Sequence, residues 1–256
     1  MVALKTADMR ESLDYWLTQY NRPVNVLENG EFLRAHFAKL NFTSDPSQNQ
    51  KVSRHDFEQI KVIGRGAFSR VVLVRKKDTG RLYAMKIMRK EKLIKEQKIK
   101  PILNERHIME RLVHPFIVRL YWSFHSKSEL FFVMDICTGG EMFFHLGKVQ
   151  KFTEKQALFY FSELLEGLEY IHSKDVVYRD IKPENILIDV DGHLKIADFG
   201  LSKIIPKGKR SFSFCGSPEY MCPEILKGSG HDKRADIYCI GALLYELVVG
   251  FPPHFN

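Results

Sequence analysis

Long apolar runs are missing from this sequence: no unbroken nonpolar stretch approaches the roughly 20 residues needed to cross a hydrocarbon core, which excludes a membrane-spanning helix. The opening segment MVALKTADMRESLDY has neither an apolar core nor a cleavage signal, which argues against a secretory leader there. Cysteine is scarce. The four residues Cys137, Cys215, Cys222 and Cys239 form no C-x-x-C pair and have no metal-ligand spacing to nearby histidines. That argues against a structural zinc or a disulfide and fits reduced thiols. These absences predict a soluble, intracellular chain in the cytoplasm, with access to the nucleus left open. No internal repeat is visible.

What is present is the composition of a globular protein, 45% hydrophobic and 27% charged, which makes disordered, collagen-like and coiled-coil readings poor. A length of 256 residues permits one large domain or two smaller lobes. The net charge of +8 is concentrated in Arg89 to Lys100, RKEKLIKEQKIK, where Glu91 and Glu96 interrupt the basic residues. This pattern reads as a solvated helix face beside a phosphate-handling site rather than as a nucleic-acid surface.

Residues 1–50 read as an appendage. Met9, Leu13, Trp16, Leu17 and Tyr20 recur at helical spacing, Phe32, Leu33, Phe37 and Leu40 suggest a second short helix, and the polar stretch Thr43 to Gln50 with Pro46 breaks the pattern. These helices are expected to cover the main domain. From Phe57 the texture turns to strands, FEQIKVIG, RVVLVRKK and RLYAMKIM, with a turn at Asp78-Thr79-Gly80. From Thr153 it becomes helical, as in TEKQALFYFSELLEGLEYIHSK; VVY, ILI and LKIA are short strand-like pieces, and IYCIGALLYELVVG reads as a buried helix. The predicted class is α+β, a strand-rich half followed by a helix-rich half.

Between the first two strands lies Ile63-Gly64-Arg65-Gly66-Ala67-Phe68-Ser69-Arg70-Val71. Glycine there lets backbone amides approach phosphate oxygens closely. The third glycine of a G-x-G-x-x-G pattern is Ser69 and a strand follows, so a dinucleotide-binding Rossmann site is disfavoured. Lys86 stands in an otherwise apolar strand, where an ammonium needs a partner. Nucleotide phosphates and a carboxylate are the candidates, and Glu105 in LNERHIMERL supplies the carboxylate on a helix whose Leu103, Ile108, Met109 and Leu112 are expected to face inward.

The segment Val177-Tyr178-Arg179-Asp180-Ile181-Lys182-Pro183-Glu184-Asn185-Ile186-Leu187, followed by Asp198-Phe199-Gly200, carries the most chemistry. Phosphoryl transfer needs a carboxylate to orient the attacking hydroxyl, oxygen ligands for Mg²⁺ and a cation over the moving phosphate. Asp180, the pair Asn185 and Asp198, and Lys182 fit those needs in turn.

With YRDIKPEN, MDICTGGEMF and SFSFCGSPEYMCPEIL in place, the chain resembles a eukaryotic protein kinase of the AGC group over residues 57–256. The resemblance implies a bilobal fold, with a small lobe over 57–134 and a partial large lobe over 135–256. It implies a Ser/Thr protein kinase that uses ATP and Mg²⁺. By that resemblance Lys86 pairs with Glu105. Met134 is the gatekeeper, Asp135 to Cys137 follow the adenine edge, and Val71, Ala84 and Leu187 enclose its faces. Glu141 and Glu184 border the nucleotide, and with Glu246 they face a peptide groove that selects Ser/Thr sites preceded by basic residues. Ser217 contacts the catalytic loop, and Phe214, Pro218 and Met221 form a pocket for the residue after the acceptor. Met109, Leu120, Tyr178 and Phe199 stack between the lobes on Asp236. Ser213 is the expected phosphosite for an upstream kinase, its phosphate pairing with Arg179 and Lys203. Protein substrates, no nucleic acid and a monomer complete the expectation.

Departures from the family pattern are Ser69 for glycine, Cys222 for alanine before Pro223-Glu224, and Pro101 where some relatives carry a histidine. The family also continues through further helices after Phe251-Pro252-Pro253, so a large lobe cut short at its C-terminal end is expected. A non-catalytic nucleotide-binding or scaffolding fragment is therefore the alternative to an active enzyme.

Overall fold

Alternating apolar residues fold the first part of the chain into sheet. The computed structural model describes residues 52–254, so the helices expected within 1–50 lie outside the described residues. Strands β1 (Phe57–Arg65), β2 (Ser69–Lys76) and β3 (Leu82–Arg89) form the expected meander. Helices α1 (Lys90–Lys95) and α2 (Ile99–Met109) follow, then β4 (Leu120–His125) and β5 (Glu129–Met134). The five strands pair antiparallel in the order β1-β2-β3-β5-β4. One sheet face buries Phe57, Val72, Val74, Tyr83, Met85, Trp122 and Phe131. From the other face Met88, Leu120 and Phe132 pack against Ile102, Ile108 and Met109 of α2. Each such side chain contributes about 1.5–3 kcal/mol by leaving water.

The basic run forms α1, where only Leu93 is buried. In α2 the inward residues are Ile102, Glu105, Ile108 and Met109, whereas Leu103 is 51% exposed. The expectation for Leu103 is therefore corrected. Steps of three and four residues from Glu105 lead to Ile102, Ile108 and Met109, and Leu103 falls off that stripe.

The remainder is mostly helical. After the short strand β6 (Gly140–Glu141) come α3 (Met142–Val149) and α4 (Glu154–Ser173). Thr153 caps α4 reciprocally: its hydroxyl accepts from Gln156 N, and the Gln156 side chain accepts from Thr153 N at 2.9 Å. Short strands β7 (Val176–Val177), β8 (Ile186–Ile188), β9 (Leu194–Ile196) and β10 (Lys203–Ile204) carry the loops between them. Helix α5 (Pro223–Leu226) precedes α6 (Arg234–Val249), which buries Ala235, Cys239, Ile240, Leu243 and Leu247. Gly250 ends α6 at φ 102°, and a Cβ there would lie 2.5 Å from the Gln150 carbonyl, so glycine is required twice over. Helix α4 meets β9 closely at Gly167, where a Cβ would come 2.9 Å from Ile196 Cδ1. Among the described residues no helix is long and apolar enough to cross a membrane. The architecture is α+β, a sheet-rich lobe joined to a helix-rich one.

Candidate active site

Lys86 lies in the middle of the sheet, its backbone paired with Val71 of β2 and Phe132 of β5. Its Nζ donates to Glu105 Oε1 at 2.7 Å and stands 3.9 Å from Asp198 Oδ1. Burial works against the ammonium, but the charges of Glu105 and Asp198 outweigh it and raise the Lys86 pKa. Burial also raises the Glu105 carboxyl, more than Lys86 lowers it. A strand of the sheet, a helix and the loop after β9 thus meet at one cation.

The loop between β7 and β8 is anchored from below by Asp236, fully buried on α6. Its carboxylate accepts from Tyr178 N at 2.8 Å, Arg179 N at 2.7 Å and His172 Nε2 at 2.8 Å. Arg179 is held at φ 72° and Asp198 at φ 51°, left-handed conformations that cost an ordinary residue about 1–3 kcal/mol and recur at functional sites. Above the anchor, Asp180 is 9% exposed and both its oxygens are engaged. Oδ1 accepts from Ser217 Oγ at 3.0 Å; Oδ2 accepts from Asn185 Nδ2 at 2.7 Å and faces Lys182 Nζ at 3.2 Å. Lys182 Nζ also donates to Ser217 Oγ at 2.8 Å. The side chain of Asp198 is 57% exposed.

The glycine-containing segment is a tight hairpin in which only 66–68 lie outside the strands, closed by Gly66 N donating to Ser69 O at 2.9 Å. Ile63, Gly64 and Arg65 end β1, and Ser69, Arg70 and Val71 open β2, with Gly64 opposite Val71. Ala84 is paired with Met134 across β3 and β5. Leu187 is paired with Glu141 across β6 and β8, and Leu187, Met134, Cys137 and Phe68 pack against one core cluster. Burial pushes the Cys137 thiol up to about 12, so it is neutral at ordinary pH. The Asp135 side chain accepts from Tyr121 Oη at 2.8 Å and pairs with Lys195 at 3.3 Å. Met109, Leu120, Tyr178 and Phe199 join the same cluster, the last two rings meeting edge-on at 5.3 Å.

Glu141 and Glu184 are exposed, and burial with the Glu184 charge raises the Glu141 carboxyl. Glu246, expected to face the same groove, is 6% exposed and accepts the Tyr220 hydroxyl. Its position on the inward face of α6 is the reason. Phe214 is 70% exposed and Met221 is buried. Cys222 is buried and held up to about 11 by that burial.

The unmodified Ser213 Oγ accepts from Arg179 Nη1 at 2.6 Å, and Lys203 Nζ donates to the neighbouring Ser211 Oγ at 3.1 Å. Ser211, His231 and Tyr220 were not apparent as site residues in the sequence. Ser211 and His231 meet through an isolated backbone bridge that joins residues remote along the chain, a pairing with no local pattern.

Residues 57–256 match the protein kinase domain. The chain is 42% identical over 219 residues to a RAC family serine/threonine-protein kinase homolog of Dictyostelium discoideum, covering 85% of this chain and 49% of that protein. It is 44% identical over 240 residues to the serine/threonine-protein kinase YPK1 of Saccharomyces cerevisiae, covering 93% and 34%. To the human RAC-beta serine/threonine-protein kinase it is 45% identical over 207 residues, covering 80% and 43%. The chain spans about half the length, or less, of these curated relatives. It belongs to the protein kinase family, and within it to the AGC group.

Proposed function

We propose that this chain is a serine/threonine protein kinase that transfers the γ-phosphoryl group of ATP to protein hydroxyls. The observation that carries the reading is Ser217. Its hydroxyl donates to Asp180 Oδ1 and accepts from Lys182 Nζ. An acceptor hydroxyl needs the same two contacts, a carboxylate on its proton and a cation beside the oxygen that gains a phosphoryl group. Asp180 orients that hydroxyl and receives its proton; Lys182 stabilises charge on the moving group. Lys86, held by Glu105, binds the donor's phosphates, and the hairpin 63–71 covers them. Val71, Ala84 and Leu187 enclose the adenine, with Met134 behind it and Asp135 to Cys137 along its edge.

The residues fit Mg²⁺. Asn185 spends its amide nitrogen on Asp180, which leaves its oxygen as a hard ligand, and the exposed Asp198 carboxylate supplies a second. When bound, Mg²⁺ neutralises phosphate charge. Exposed Glu141 and Glu184, with Glu246 near them, favour peptides with arginine upstream of the acceptor. Ser213 beside Arg179 is the site for an upstream kinase. In this reading the small lobe spans 57–134, residues 135–256 belong to the large lobe, and the protein acts as a cytoplasmic monomer.

The test uses the full chain, with Ser213 unmodified or as phosphoserine, incubated with ATP, Mg²⁺ and an Arg-containing serine peptide. Phosphopeptide is expected, and Asp180→Asn should lower kcat by about 10²–10⁴ while ATP binding persists. ATP binding with no phosphopeptide from either form would overturn the enzyme reading in favour of a scaffold.

A further inference from the structure

The Arg179 guanidinium is surrounded by neutral acceptors. Its Nε donates to Leu201 O at 2.8 Å, and Nη2 donates to the same carbonyl. The remaining nitrogen, Nη1, lies 2.6 Å from Ser213 Oγ, 3.5 Å from Ser211 Oγ and 3.5 Å from His231 Nε2. Among the described residues no side-chain carboxylate pairs with Arg179 or Lys203. Asp236 is near, but its oxygens are committed to Tyr178 N, Arg179 N and His172. A buried guanidinium without a carboxylate is a site prepared for an anion.

His231 is 2% exposed and locked to Ser211 by two backbone hydrogen bonds of 2.9 Å. Its Nε2 faces a guanidinium, so without a phosphate that nitrogen is the unprotonated acceptor. Helix α2 supplies no cation from Pro101; its hydrogen bond to this region runs from Asn104 Nδ2 to Ser202 O at 2.9 Å. Resting on the reading of Ser213 as the phosphosite, we propose that His231 is the third ligand of the Ser213 phosphate, taking up one proton from water as the phosphate arrives.

The electrostatics have the sign this requires. Burial first, then the charge of Arg179, hold the imidazole below its ordinary pKa; Lys203 adds to this, and Asp236 and Glu224 oppose it. A phosphoserine brings a charge of about −1.5 to −2 and three acceptor oxygens. It draws Arg179 Nη1 to itself, offsets the Arg179 charge that opposes protonation of the ring, and offers an oxygen to a newly protonated Nε2. Arg179 and Lys203 alone give the pocket two positive charges; protonated His231 adds a third that depends on pH.

The experiment compares the full chain with Ser213 unmodified or as phosphoserine, as wild type and as His231→Gln. The His231 ring and the phosphoserine are titrated by NMR from about pH 5.5 to 8.5, with thermal melts alongside. Phosphorylation should raise the His231 pKa by at least about one unit. The part of the Tm gain on phosphorylation that requires His231, taken as wild type minus His231→Gln so that titration of the phosphate itself cancels, should be larger near pH 6 than near pH 8. His231→Gln should lose this pH-dependent part and keep the remainder, which belongs to Arg179 and Lys203. A Tm gain with an unmoved His231 pKa would overturn the role of His231 and leave the phosphosite standing. No Tm gain at any pH would overturn both. Should His231→Gln not fold, the wild-type titration decides.

Discussion

Lys86 Nζ and Glu105 Oε1 lie 2.7 Å apart with the carboxylate 2% exposed, tying the centre of the sheet to α2. The pair is asymmetric. Without Glu105, Lys86 keeps Asp198 at 3.9 Å; without Lys86, Glu105 is left buried and uncompensated. Lys86→Met should therefore destabilise the fold by about 3–5 kcal/mol at neutral pH, and Glu105→Gln by distinctly less. Burial raises the Glu105 carboxyl above its unfolded pKa. The penalty in Lys86→Met is thus present when that group is ionised and is relieved as pH falls through its raised folded pKa. Urea unfolding of the two variants at neutral and mildly acidic pH checks this. Equal losses, or no recovery in acid, would count against it.

Exposure separates the three carboxylates proposed to select the substrate. Glu141 and Glu184 are open to solvent, whereas Glu246 is buried and occupied by Tyr220. A charge-assisted hydrogen bond to arginine is worth about 1.5–3 kcal/mol, so Glu141→Gln and Glu184→Gln should each raise KM for an Arg-containing peptide roughly 10-fold or more. Glu246→Gln keeps an acceptor for Tyr220 and should change KM less. Replacing the upstream arginine by alanine should erase the difference between Glu141→Gln and wild type. A variant whose defect is the same on both peptides is acting through something other than arginine recognition.

Local signals in the chain carried the strands, the long helices and the loop from Asp180 to Asn185, because each depends on neighbours along the sequence. The network joining Asp180, Lys182, Asn185 and Ser217 combined a local motif with one family resemblance, and its distances bring the four together. What stayed hidden depends on tertiary register. Leu103 and Ile102 are adjacent and equally apolar, and only the rotation of α2 that aims Glu105 at Lys86 decides which is buried. The Tyr220 hydroxyl that Glu246 accepts comes from another segment, 26 residues away along the chain. His231 and Ser211 touch only because two loops bridge.

His114 offers a pH signature unrelated to the site. Its ring stacks on Tyr170 at 4.9 Å and its Nδ1 accepts from Phe116 N at 3.3 Å, contacts that suit a neutral imidazole. Burial, with help from Lys195, lowers its pKa to about 4. The unfolded chain takes up the proton near the ordinary histidine value, so this stability is present above that value and is lost as pH falls towards 4. The full shift corresponds to about 3 kcal/mol, and screening at a ring that is only partly buried reduces it to about 1–2 kcal/mol. His114→Gln should flatten the stability profile between about pH 6.5 and 4 by that amount relative to wild type. Parallel profiles for the two proteins would refute the assignment.

Asp236 holds the loop between β7 and β8, proposed to be the catalytic one, by accepting from three donors, two of them backbone amides of Tyr178 and Arg179, at 2.7–2.8 Å. Asparagine has almost the same shape but one acceptor oxygen, and its NH₂ group would face a donor in a fully buried place. Asp236→Asn should cost about 1–3 kcal/mol for each amide left without an acceptor. The loop carries Asp180, so the loss should reach kcat and leave KM for ATP nearly unchanged, because Lys86 and the hairpin 63–71 are not tied to Asp236. His172→Leu removes the third donor while leaving both amides satisfied, and should lower stability with little change in kcat. Thermal melts and steady-state kinetics on both variants separate the outcomes. Equal kcat losses would mean that the loop is held by the helix pair α4 and α6 as a whole rather than by the two backbone hydrogen bonds.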